Sequence, residues 1–167
     1  MHRTTCIRFA VGALVAGLLA PAVAFGQSLK EQIVGSWQLV SLYNQDKDGK
    51  RFPYGDKPVG LTIYDRSGYV MQFLSKPNLP KFAVANRLKA TDKEYREVMQ
   101  ATLSGFGSYT VQGDTVTIKW VASSYPNRAG TTEKRTYKIV GDELSVTNPT
   151  AASGGTSYAK YARTKSL

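Results

Sequence analysis

Three times in this chain two short alternating runs meet across a tight turn, and that repetition restricts the fold more than any other feature. Val59, Leu61 and Ile63 alternate with smaller or more polar neighbours, as do Tyr69, Met71 and Phe73, and Asp65-Arg66-Ser67-Gly68 between them is turn sequence. Residues 108–112 and 115–121 flank Gly113-Asp114, and residues 132–140 and 143–147 flank Gly141-Asp142. A first run, residues 34–43, puts Trp37, Leu39, Ser41 and Tyr43 on one face, and a last run covers residues 156–163. Eight strands in an open sheet leave two unpaired edges, which closure removes. The predicted fold is therefore mainly β, an eight-stranded antiparallel up-and-down barrel with room for one small ligand. A two-sheet sandwich fits the same periodicity.

One segment departs from period two. Thr91 is a good N-cap with Glu94 at the reciprocal position, and Tyr95, Val98, Met99, Thr102 and Leu103 recur at helical spacing before Gly105 and Gly107. This predicts one inserted amphipathic helix over residues 92–104, covering a barrel mouth or flank. Ser28 and Glu31 have the same capping-box spacing, for a short lead-in helix. Residues 44–50 are a loop, residues 51–56 irregular or a short edge segment. Residues 76–82 carry Pro77 and Pro80 and cross one end of the barrel.

Residues 1–24 have the layout of a cleaved secretory signal: Arg3 and Arg8, an apolar run from Phe9 to Leu19, then Ala22-Val23-Ala24. The run is too short for a membrane span, and Cys6 precedes it, so it is not a lipid-bearing cysteine. The expected product is a single domain over residues 25–167, periplasmic or secreted. Cleavage removes His2 and Cys6, the only histidine and cysteine. Disulfides, Cys/His zinc sites and Ser-His-Asp or Cys-His machinery then lack their essential groups. The formal charge of +10 falls by two with Arg3 and Arg8, and its lysines are scattered singly. That pattern reads as a solvated surface before it reads as an anionic-polymer site, and no nucleic-acid partner is expected.

Gly35-Ser36-Trp37 at the head of the first strand, and Pro58-Val59-Gly60 through Tyr64-Asp65 to Gly68-Tyr69 in the second hairpin, resemble the bacterial and fungal lipocalin-like domain family. So do Tyr54-Gly55, the loop ending at Pro80 and Phe82, Glu94-Tyr95 in the helix and Phe106-Gly107-Ser108-Tyr109. The resemblance implies a calycin-type barrel with a ligand pocket. It also implies that Arg163, in Tyr161-Ala162-Arg163, lies against Trp37 as a structural pair. Asn127 and Gly130 keep the pattern of the loop over residues 123–130, but the histidines many relatives carry there are absent.

The large residues expected to face inward are Trp37, Met71, Phe73, Tyr109, Trp120 and Tyr137. The candidate ligand-binding set is Tyr64, Met71, Phe73, Tyr109, Trp120 and Tyr137. Trp37 plugs the closed end. No catalytic residue, metal ligand or cofactor is assigned: Asp65, Asp92, Glu94 and Asp114 each have a turn or cap to explain them, and Glu97 and Glu133 have no evident partner. The leading expectation is a small apolar or aromatic ligand held by a monomer or weak dimer. A cofactor-free isomerase or cyclase using a cavity tyrosine or carboxylate is one alternative, and an envelope protein meeting an anionic partner is another.

Overall fold

The computed structural model describes residues 27–165; the leader assigned to residues 1–24 lies outside them. Nine antiparallel strands follow a single turn of helix, α1 (Leu29–Gln32): β1 (Gly35–Gln45), β2 (Arg51–Pro53), β3 (Val59–Tyr64), β4 (Tyr69–Ser75), β5 (Thr102–Gln112), β6 (Thr115–Ser123), β7 (Thr132–Val140), β8 (Glu143–Asn148) and β9 (Thr156–Arg163). Helix α2 (Asp92–Ala101) is inserted between β4 and β5. Each strand from β3 to β9 pairs with the next, β1 pairs with β3, and β1 also pairs with β9. The result is a closed eight-stranded barrel. The short segment over residues 51–53 adds β2 to the far end of β1, opposite Tyr43, Asn44 and Gln45.

One end is closed. Ile33, the last residue of the α1 cap, and Trp37 are fully buried, and the Trp37 indole N–H donates to the Ile33 carbonyl at 2.7 Å. Arg163 lies across Trp37 with its guanidinium carbon 4.2 Å from the ring centroid, donating to the Gln32 and Val34 carbonyls at 2.7 and 3.2 Å. A lysine could not stack and reach both oxygens with one planar group. The expected pairing of first and last strands is observed.

Parity differs from expectation at two places. Between Leu39 and Ser41 the register against β9 shifts by a bulge, so Trp37 and Leu39 face in while Leu42 and Asn44 take over the inner face above. Ser41 and Tyr43 turn outward, and Tyr43 stacks on Tyr158 on the outer surface. On β3 and β4 the inner residues are Gly60, Thr62 and Tyr64, and Val70, Gln72 and Leu74. Met71 and Phe73, expected in the cavity, lie outside at 59% and 46% exposed. The reason is local: Gln72 and Thr62 are held inside by hydrogen bonds, Gln72 Nε2 reaching Thr62 Oγ1 and the Tyr161 hydroxyl at 3.4 Å each. Thr62 and Gln72 share the interior with Tyr64, Val70 and Leu74, and Met71 and Phe73 fall on the outer face.

Helix α2 begins as expected, with Thr91 and Glu94 forming a reciprocal capping box, but it ends at Ala101. Thr102 is already extended, at φ −125° and ψ 148°, and β5 starts there. At Gly107, β5 and β6 approach so closely that a Cβ would collide with the Lys119 carbonyl, which fixes the backbone beside Trp120.

Candidate functional site

Strand β7 builds the centre of the barrel. Its alternation sends Glu133, Arg135 and Tyr137 inward and Lys134, Thr136 and Lys138 outward. Arg128 joins them from a 3-10 turn over Pro126–Arg128, held by Thr131, whose N–H and hydroxyl both donate to the Arg128 carbonyl at 3.1 and 2.7 Å. Arg128 and Arg135 are only 4% and 5% exposed. The Arg128 guanidinium lies 3.6 Å from the Trp120 ring centroid, and that of Arg135 lies 5.5 Å away. Desolvated stacking of this kind contributes about 2 kcal/mol or more.

Glu133 is shared between the two arginines. Arg128 Nε donates to its Oε1 at 2.8 Å, and Arg135 Nη2 and Nε donate to its Oε2 at 2.6 and 3.1 Å. Asn148 Nδ2 reaches the same Oε2 at 3.4 Å, and Arg128 Nη2 reaches Gln72 Oε1 at 3.4 Å. Burial alone would raise the Glu133 carboxyl, but the Arg128 hydrogen bond and the charges of Arg135 and Arg128 hold it below its ordinary value. Burial lowers Arg128 somewhat, and Arg135 is raised against burial by neighbours that include Tyr137 and Glu133. Both guanidiniums stay charged across any ordinary pH. Two cations against one anion leave the centre with a net positive charge. A buried ion cluster of this kind is weak evidence for stability, since packed apolar side chains of similar volume often match or better it.

Above this centre the barrel is hollow. A cavity of about 310 Å³ has Gln72, Arg128, Arg135, Asn148 and Tyr161 among its lining, with Leu42, Leu74, Leu103 and Val146 supplying apolar wall. It opens at the end away from α1, where Met99 of α2 and Tyr125 form exposed rim. Tyr54 ties this rim together by donating its hydroxyl to the Ala101 carbonyl at the end of α2, 2.8 Å away. The helix does sit at a barrel mouth.

Of the residues singled out from sequence, Tyr64, Tyr109, Trp120 and Tyr137 are buried and inward. They form the layer beneath the cavity and are not among its lining residues. The Tyr64 and Tyr137 hydroxyls are 2.6 Å apart, Tyr64 meets Tyr109 edge-on at 5.1 Å, and Trp120 supports Arg128. Burial, then the neighbouring Tyr137, pushes the Tyr64 hydroxyl well above its ordinary value, so it keeps its proton. With Glu133 held ionised and Tyr64 held protonated, the arrangement suits holding charge and not passing protons near neutral pH. Asp65 accepts from the Ser67 N–H at 2.6 Å and Glu94 from the Ala83 and Thr91 N–H groups at 2.7 Å each, so both serve turns and caps.

Sequence reasoning passed over Arg128, Arg135, Gln72, Asn148 and Tyr161. Arg135 shares the parity of Tyr137, which is the signal that finds it. Among the described residues no cluster of three histidine, cysteine, aspartate or glutamate side chains could hold a metal, and no helix is long and apolar enough to cross a membrane.

A family model described as a lipocalin-like domain matches residues 34–164. A lipocalin-like protein from Bacteroides uniformis is similar at 13% identity, over 79% of this chain and 98% of its own, with a TM-score of 0.43. A Bacteroides eggerthii protein is similar at 14% identity, over 78% of this chain and 98% of its own, with a TM-score of 0.41. No curated protein matches.

Proposed function

Because the chain belongs to the lipocalin-like domain family, we propose that it is an exported protein whose barrel cavity holds a small molecule with an apolar or aromatic part. The observation that carries this reading is the cavity itself, about 310 Å³, apolar along one wall and open at one end. That volume stands at the lower end of the range for small-molecule sites. The tripartite leader, with Arg3, Arg8 and Ala22-Val23-Ala24, supports a periplasmic or secreted location.

One experiment reads both halves: native mass spectrometry of protein purified from its own host. The expected species is a chain beginning near Phe25 with one small molecule bound, and Ala159→Phe, which fills the cavity from its lining, carries none. A full-length chain overturns the export. The ligand reading falls if the native protein carries nothing and takes up no small apolar molecule on titration, or if Ala159→Phe binds undiminished.

A further inference from the structure

We propose that the molecule held in the barrel is an amphipathic monoanion, a short aliphatic or aromatic carboxylate whose head group meets Arg128 and Arg135. The inference rests on the cavity reading above and adds the chemistry of the ligand.

Three observations carry it. The first is charge: Arg128 and Arg135 face one carboxylate, Glu133, and they are the charged residues in the cavity lining. One negative charge from a ligand neutralises that centre. A neutral ligand leaves a buried cation uncompensated, and a dianion reverses the imbalance. The second is an unspent donor. The Nε and Nη2 of Arg128 are taken by Glu133 and Gln72, its plane is fixed on Trp120, and its buried Nη1 has no acceptor among the described residues. A buried guanidinium nitrogen without an acceptor is costly, and a carboxylate that draws the Arg128 side chain toward the cavity supplies one. The third is the apolar wall of Leu42, Leu74, Leu103 and Val146, which suits a tail and not a second charge.

Size narrows the class. At roughly 30 Å³ for each heavy atom, the volume a water occupies in the liquid, 310 Å³ holds about ten heavy atoms. Octanoate and 3-phenylpropanoate match that size. A longer chain extends out through the open mouth.

The test is calorimetric titration of the delipidated mature protein at pH 7 with matched probes: octanoate, 1-octanol and octyl phosphate, then 3-phenylpropanoate with 3-phenylpropanol. The acids bind about ten- to a hundredfold tighter than their alcohols, the gain expected of a charge-assisted hydrogen bond, and octyl phosphate binds no tighter than octanoate. In Arg128→Met, where Arg135 and Glu133 remain as a balanced pair, the acid's advantage disappears while the alcohol still binds. Arg128→Gln gives the same reading should the methionine variant fail to fold. Equal binding of acid and alcohol by the native protein overturns the monoanion inference and leaves the cavity reading standing. Tighter binding of octyl phosphate overturns the single-charge requirement. No binding of any probe overturns both readings.

Discussion

Glu133 receives hydrogen bonds from three side chains, Arg128, Arg135 and Asn148, and among the described residues provides the only negative charge that faces the two buried guanidiniums. Without that charge two buried cations repel each other, a penalty of about 3–5 kcal/mol for a broken buried pair. Glu133→Gln is expected to lower stability by that amount at pH 7 in urea denaturation. Its pH dependence has a definite sign. The folded carboxyl lies below its ordinary value of 4.5, so protons bind the unfolded chain more readily; the stabilisation is complete above about pH 4.5 and is lost as acid takes the pH through the lower folded value. The native protein therefore weakens in acid more steeply than Glu133→Gln. Equal slopes would assign the acid sensitivity to other carboxylates. Part of this centre is legible before folding: once Tyr137 is placed inward, counting back by twos along β7 brings Arg135 and Glu133 with it. The count is easily missed because charged residues default to the surface. Arg128 is harder, since it arrives from a turn whose direction no periodicity records.

At the scale of elements, β1 serves two masters by means of one extra residue. Below the bulge Trp37 and Leu39 plug the closed end; above it Leu42 and Asn44 line the cavity. Val40 is exposed, so Val40→Thr is expected to change stability by no more than about 0.5 kcal/mol. Deleting Val40 removes the extra residue and joins the two halves in unbroken alternation with Trp37, Leu39, Leu42 and Asn44 all inward, so the barrel and its cavity are expected to survive the deletion at a cost below about 3 kcal/mol. A larger loss would show that the bulge itself, and not only the parity on either side of it, is needed to seat β1 against β9. Sequence alternation identified the strands and their partners here but not every face. On β3 and β4 the inner positions are partly polar because Thr62 and Gln72 belong to the network around Tyr161 and Arg128. The rule that apolar means inward fails where the interior is built around charge. The helix limit failed for another reason: residues 102–104 satisfy a helical spacing and a strand equally, and pairing with β4 decided for the strand.

For the whole molecule the decisive contact is the seam between β1 and β9, which pairs residues from Trp37 to Gln45 with residues from Arg163 back to Thr156. A closed barrel has no strand whose loss leaves the rest intact, so amides along the seam are expected to exchange hydrogen as slowly as those of β6 at Val116 and Ile118. Faster exchange at the seam would mean that the barrel opens there first. Pairing strands more than a hundred residues apart in the chain also makes folding slow. The same seam has a consequence during synthesis. Until Tyr161 and Arg163 have left the ribosome, β1 lacks its lateral partner and Trp37 its cover, and the nascent chain has no completed structure to hold it. A polypeptide that cannot finish folding before it is finished being made stays threadable, which is compatible with the export proposed above.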